Sequence, residues 1–282
     1  RAFLIICPFA RKPIAPGFSF GAFVLKALIG LMFISSLIIA CSSITDKSIY
    51  SIPNDETIDC SALPGSEIVS CLSGKRETKG LFYKGKNGLI VIFHGNADTV
   101  NTEIDIAKYF AERNCSVLIP EYPGFGISKK YQPSEKRIYD DSETLIRHIQ
   151  KQYDVSPSNT TLYGRSLGAA IAIEMATRKM GSKLILVTPF SSMNDMFVRY
   201  GAPFVIVPVI NSQHYDNVRK AKFLDCPTLI VAGDMDKKTP YTMSLQLFKT
   251  FSNAALIVID SNSHGSVYED FTPETWKKIL AF

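Results

Sequence analysis

Carboxylates are missing from the first forty residues of this chain, and that gap shapes the charge of the whole. Arg1, Arg11, Lys12 and Lys26 lie there with no Asp or Glu to balance them. Removing those four from the formal net charge of +5 leaves +1 for everything that follows. Binding to nucleic acid calls for a basic face, so no nucleic-acid partner is expected. Internal repeats and low-complexity tracts are also missing, which excludes solenoids and arrays. Cysteine is sparse, six in 282 residues, and no Cys-x-x-Cys pair or Cys/His spacing is suited to a metal ion. No metal site is expected.

A long uninterrupted apolar span is the next absence. In its place stands Ala27–Ala40, fourteen mostly apolar residues behind Lys26. That is the length of a signal-peptide core and falls short of the roughly 20 residues of a spanning helix. Ile38-Ile39-Ala40-Cys41 resembles a bacterial lipobox, in which Cys41 becomes the lipid-bearing first residue of a mature protein. This reading puts the protein in the cell envelope, facing the periplasm or the exterior. The competing reading joins Phe18–Ala40 into one uncleaved transmembrane anchor with Lys26 snorkelling to the interface. The expected organisation is a targeting segment over residues 1–40, a polar tether over 41–58 and one folded domain over 59–282. Of the other cysteines, Cys60 and Cys71 are close enough in sequence to be candidates for a disulfide in an oxidising compartment. Cys115 and Cys226 flank apolar runs and are expected as packed thiols.

Apolar, β-leaning runs recur at about 66–72, 78–84, 88–93, 115–120, 159–163, 183–188, 227–232 and 255–260. Helical patterns fall at about 98–113, 135–153, 167–180, 240–251 and 273–281. Alternating strand and helix predicts an α/β domain with a mostly parallel central sheet and helices on both faces. The first two strands have no helix between them and should pair antiparallel at the sheet edge.

Gly164-Arg165-Ser166-Leu167-Gly168 is the strongest local signal. It sits between a short strand-like run and the small, apolar Ala169–Ala176, which favours helix. A serine on so tight a strand-to-helix turn leaves no room for side chains two positions to either side. A helix beginning just after it directs partial positive charge and a free N–H at a developing oxyanion. Such a serine needs a base, and the base needs an orienting acid.

His264 follows the run Ala255–Asp260 in a loop at the end of what reads as the last strand. His148 falls within a helical pattern and is expected at the surface, and His214 has no evident partner. Two aspartates, Asp234 and Asp236, follow the preceding strand. Asp236 stands further into the loop and is the preferred acid, with Asp234 assigned to a turn or cap. The order Ser166, Asp236, His264 is that of an α/β-hydrolase. Upstream, the strand-like Gly88–Phe93 runs into His94-Gly95-Asn96-Ala97. A loop in that position supplies the second oxyanion donor. The N–H groups of Asn96 and Leu167 are the expected pair, with Ala97 as the substitute for Asn96. His94 is expected to shape the loop rather than to act as a base.

With these segments in hand, the series His94–Ala97, Glu121–Ser128 and Tyr163–Gly168 resembles the small, minimal-cap, membrane-associated α/β-hydrolase-domain serine hydrolases. These neighbour the dienelactone-hydrolase and prolyl-oligopeptidase-like branches. Gly233–Asp236 and His264-Gly265 extend the resemblance over about residues 66–282. It implies the α/β-hydrolase fold with a short cap insert, and hydrolysis of esters, thioesters or lipid esters without a cofactor. The expected partners are an acyl ester or lipid substrate and the membrane itself. Ala169 departs from the glycine that relatives often carry. The insert at about 189–226 contains the apolar Gly201–Ile210. That run either packs on the core, or walls an acyl pocket or faces the membrane, with Phe190 and Met196 able to join the wall.

Overall fold

The computed structural model describes residues 28, 49–53, 57–260 and 263–282. Cys41 lies outside them, with all of the expected targeting segment but Leu28 and with most of the expected tether.

Eight strands form one sheet: β1 (Ser66–Ser73), β2 (Arg76–Tyr83), β3 (Leu89–Phe93), β4 (Ser116–Glu121), β5 (Thr160–Arg165), β6 (Lys183–Val187), β7 (Thr228–Gly233) and β8 (Ala254–Ile259). Their spatial order is β1-β2-β4-β3-β5-β6-β7-β8. As the missing helix between them predicts, β1 and β2 pair antiparallel at the edge. The β2–β4 pair is antiparallel too, and every pair from β4 onward is parallel. All five residues of β3 are buried, because helices cover both faces of a central parallel strand.

The strand's period of two splits the core. Val91 and Phe93 face one cluster, which takes in α2 (Glu135–Gln152), α3 (Leu167–Thr177) and α7 (Tyr241–Thr250). Ile90 and Ile92 face the other, with α1 (Ile104–Ala111) and α8 (Pro273–Ala281). Helix starts carry their own signals: the side chains of Ser134 and Thr272 cap α2 and α8, accepting from Arg137 N–H and Thr275 N–H. The helix expected from residue 98 begins instead as a 3-10 turn, Val100–Glu103, with no side-chain cap from Thr99.

The short cap follows β6. It contains α4 (Met193–Arg199), α5 (Val207–Ile210) and α6 (Asn217–Ala221). Most of Gly201–Ile210 does not pack on the core: Val207 alone in that run is buried, while Phe204, Val205, Ile206 and Val209 are exposed. The run does not line the cavity beside Ser166 either.

The Cys60–Cys71 disulfide is absent, and both thiols are free. Cys71, on β1, packs against the α2/α3 cluster, and Cys60 packs against the opposite one. The sheet lies between them. Cys115 and Cys226 are half-buried, and burial pushes both thiols up, as packed thiols should behave.

Candidate active site

Ser166 ends β5 and opens α3 with φ 54° and ψ −113°, the strained turn that its glycine neighbours predict. A Cβ on Gly164 would stand 2.2 Å from the carbonyl oxygen of Gly168. One on Gly168 would stand 2.0 Å from that of Phe93. Both collisions are with backbone, so neither can be relieved by a rotamer. The Ser166 N–H donates to Val187 O at 2.9 Å, fixing the turn to β6. Holding a non-glycine residue in such a conformation costs on the order of 1–3 kcal/mol. The almost wholly buried α3 offsets this, with nine of its eleven residues inside.

The structure brings Ser166, His264 and Asp236 together. His264 Nε2 lies 3.0 Å from Ser166 Oγ, and Nδ1 lies 2.7 Å from Asp236 Oδ2. Asp236 is buried, and its Oδ1 accepts from the N–H groups of Lys238 (2.8 Å) and Thr239 (3.0 Å). Thr239 Oγ1 lies 2.9 Å from Asp236 Oδ2 and 3.1 Å from His264 Nδ1. Burial pushes the Asp236 carboxyl up, but the His264 bond and charge and the Thr239 contacts outweigh it. The net direction is below the ordinary carboxylate range, so the acid stays ionised. Asp234 is exposed at the end of β7, where its N–H donates to Ile259 O, as a turn residue would. His148 and His214 are both exposed and take no part.

Asn96 and Leu167 line one cavity with Ser166, and Ala97 does not. Neither the Asn96 nor the Leu167 N–H donates to another group among the described residues. The Asn96 side chain faces the amino-terminal segment instead, donating to Ile49 O (2.7 Å) and accepting from Ser51 N–H (2.9 Å). The cavity is about 220 Å³, and its walls are Ile49, Phe190, Met193, Met196, Phe197 and Tyr200, with Ser51 and Lys238 at the polar side. Phe190 and Met196 therefore contribute as expected, and α4 supplies Met193 and Phe197 besides Met196, with Tyr200 just beyond its end.

His94 is fully buried behind the loop, with Nε2 3.0 Å from Glu121 Oε1 and its ring stacked on Tyr122 at 3.8 Å. It shapes the loop. Sequence reasoning missed a second buried network. Arg165 donates to Glu103 Oε1 through Nε (3.2 Å) and Nη2 (3.1 Å), and to Asp98 Oδ2 (2.7 Å). The Tyr268 ring lies 5.0 Å from the guanidinium, and its hydroxyl donates to Glu103 Oε2 at 3.2 Å. Arg165 thus ties the residue before Ser166 to the loop after β3 and to the loop carrying His264. Burial pushes Glu103 above its ordinary range, and Arg165 holds it back only in part. An arginine inside an otherwise small and apolar motif was the available signal. No cluster of His, Cys, Asp and Glu fit to hold a metal occurs among the described residues.

A mostly parallel sheet whose fifth strand turns through a strained serine into a buried helix is the α/β-hydrolase fold. Comparison with known proteins agrees. A serine aminopeptidase (S33) family model matches residues 84–214, and a TAP-like protein model matches residues 204–272. The protein bem46 of Schizosaccharomyces pombe is 30% identical over 168 residues, covering 56% of this chain and 54% of bem46. Human alpha/beta hydrolase domain-containing protein 17B is 26% identical over 162 residues, covering 57% and 54%. The match thus spans about half the length of each of these relatives. Among solved structures, the Pyrococcus furiosus esterase Pf2001 superposes with a TM-score of 0.68 at 14% identity, covering 82% of this chain and 97% of the esterase. That likeness speaks for the fold. The chain has the α/β-hydrolase fold, and over about half of its length its sequence resembles α/β-hydrolase-domain proteins.

Proposed function

We propose that this protein is a serine hydrolase of carboxylic esters or thioesters, with Ser166 as nucleophile, His264 as general base and Asp236 as the group that orients it. The observation that carries the reading is the unbroken hydrogen-bonded line from Asp236 through both ring nitrogens of His264 to Ser166, on a strained elbow open to a cavity. Ser166 Oγ attacks the acyl carbonyl while His264 Nε2 takes its proton. The oxyanion is held by the N–H groups of Asn96 and Leu167, each worth roughly 3–4 kcal/mol of barrier. Collapse breaks the bond to the alcohol or thiol, which leaves with the proton from His264. Water, activated by the same histidine, then attacks the acyl-enzyme, and the acid departs with Ser166 regenerated.

The apolar walls favour an acyl or aryl group over a charged one. At about 220 Å³ the cavity is small beside the roughly 300–1,000 Å³ of many ligand pockets. It suits one slender chain. The Ala27–Ala40 run and Cys41 support membrane attachment, as a lipid-bearing residue or an uncleaved anchor.

Fluorophosphonate labelling tests the reading. The chain should be labelled and its Ser166→Ala variant should not, and ester turnover should vanish with the label. An unlabelled but folded chain would point to a non-catalytic binding protein. The serine aminopeptidase match motivates one further arm, in which matched aminoacyl amides and esters are compared. Amide turnover equal to ester turnover would favour a peptidase.

A further inference from the structure

We propose that the exposed apolar face of the cap, residues 200–209, docks onto a lipid bilayer, so that the cavity opens at the membrane surface. The proposal rests on reading Ala27–Cys41 as a membrane attachment. Tyr200, Phe204, Val205, Ile206 and Val209 are between 47% and 72% exposed, a dense group for any surface. The backbone presents them outward by construction. Val207 is 1% exposed and pins the segment, with Val207 N–H donating to Pro203 O and Asn211 N–H to Val207 O. Buried Asn211 then locks the far end through Nδ2, which donates to Asn194 Oδ1 (2.7 Å) and Gln213 O (2.8 Å). Tyr200 belongs both to this face and to the cavity wall.

Charge fits the same occupant. No carboxylate occurs from Met196 to Tyr215. The Arg199 guanidinium donates to Lys237 O and so holds the acid loop beside the patch. That loop exposes Met235, Lys237 and Lys238 against a single exposed carboxylate, Asp234. Apolar side chains flanked by cations are what an anionic interface rewards.

The path of the chain provides the independent argument. Ile49 and Ser51 are clasped by Asn96 and line the cavity, and Ile52 beside them is 48% exposed. Seven residues lie between Cys41 and Ile49, eight steps along the chain. Fully extended, they reach about 26–29 Å. Attachment at Cys41, or by the run before it, therefore tethers the domain by its cavity mouth and keeps the patch at high local concentration over the lipid.

The test uses the full chain in vesicles of phosphatidylcholine and phosphatidylglycerol, with Phe204→Trp compared to the parent. The parent's one tryptophan, Trp276, stacks on Tyr109 in α8 and is removed by difference. Docking predicts blue-shifted difference emission, quenched by acyl-brominated lipid and shielded from acrylamide. It also predicts that Val205→Asp/Val209→Asp lowers turnover of a vesicle-borne fluorogenic acyl ester by about tenfold or more, while soluble p-nitrophenyl acetate stays within about twofold. Water-like emission from a chain that floats with the vesicles would overturn docking and leave attachment standing. Blue-shifted emission indifferent to brominated lipid would overturn it in favour of a protein cover, such as a second copy. A chain that fails to float would overturn attachment and docking together. Lipid quenching in a chain that takes no fluorophosphonate would support docking and sink the hydrolase reading alone.

Discussion

Replacing Arg165 with methionine should destabilise the domain severely, although the residue touches no substrate. The guanidinium is the counter-charge for Glu103, which is fully buried, and for the mostly buried Asp98. Methionine fills comparable volume but leaves Glu103 either charged without a partner or protonated at a cost. Breaking one side of a buried pair costs about 3–5 kcal/mol. For a domain of this size that is a fall in melting temperature of roughly 6–20 °C. Removing the orphan as well should recover part of the loss, so Arg165→Met/Glu103→Gln should melt above the single variant. The pH dependence has a definite sign. Without Arg165 the folded Glu103 pKa rises further above its unfolded value, so the variant's stability is greatest at acid pH and is lost as pH rises. Its deficit against the parent should therefore shrink as pH falls towards about 4–5. Thermal melts of the parent, the single and the double variant across pH decide the matter. A cost below about 1 kcal/mol, or a double variant no better than the single, would refute the view of Arg165 as a charge-bound brace.

Asp236→Asn should leave the fold intact and lower kcat by about 10⁴, since His264 loses the acceptor that sets its tautomer; steady-state ester kinetics check it. Gly168→Ala sets a Cβ against the Phe93 carbonyl and should cost roughly 1–3 kcal/mol or more, along with most fluorophosphonate labelling. Lys136 and Arg178 at Asp140, Arg178 at Glu143, and Lys220 and Arg178 at Glu174 hold these carboxyls below their ordinary range against the pull of burial. Stability from this cluster is present above the unfolded pKa values, about 4, and is lost as pH falls through the lower folded ones. The melting-temperature gap between the parent and Arg178→Met should therefore be widest near neutrality and close in acid. Cys60 and Cys71 should both alkylate without reductant, and intact-mass measurement should show no two-dalton change on reduction.

The sheet was legible because its inner strands are continuous apolar runs bounded by polar turns, and each strand begins or ends within two residues of the expected position. Ser166 and His264 were legible for a different reason: a strained elbow demands glycine at two fixed positions, and chain order leaves one histidine. Asp236 could be preferred over Asp234 because a residue deeper in the loop is free of the strand end; in the fold it is buried, with Oδ2 2.7 Å from His264 Nδ1. Where proximity in space differs from proximity in sequence, reading failed. Cys60 and Cys71 are eleven positions apart yet on opposite faces of the sheet, which period-two alternation along one strand does not reveal. Gly201–Ile210 looks like core by composition, but its single buried valine shows that hydropathy alone does not say which way a short segment turns. Asp98 and Glu103 lie five positions apart in the connection after β3, while Arg165 lies more than sixty residues on, and their pairing exists only in the fold.

The Asn96 side chain grips the backbone on both sides of Tyr50, as acceptor and as donor, while its own N–H is proposed to face the reacting oxygen. Under the proposed membrane attachment, the Ile49–Ser51 stretch is thereby a load path into the reaction centre. Tension along it pulls first on two hydrogen bonds, each worth roughly 1 kcal/mol net, and next on the loop that carries the amide. An enzyme held this way carries its leash fastened at the catalytic loop, so cutting the chain after Ser51 would loosen the floor of the site even if the sheet behind it stayed whole.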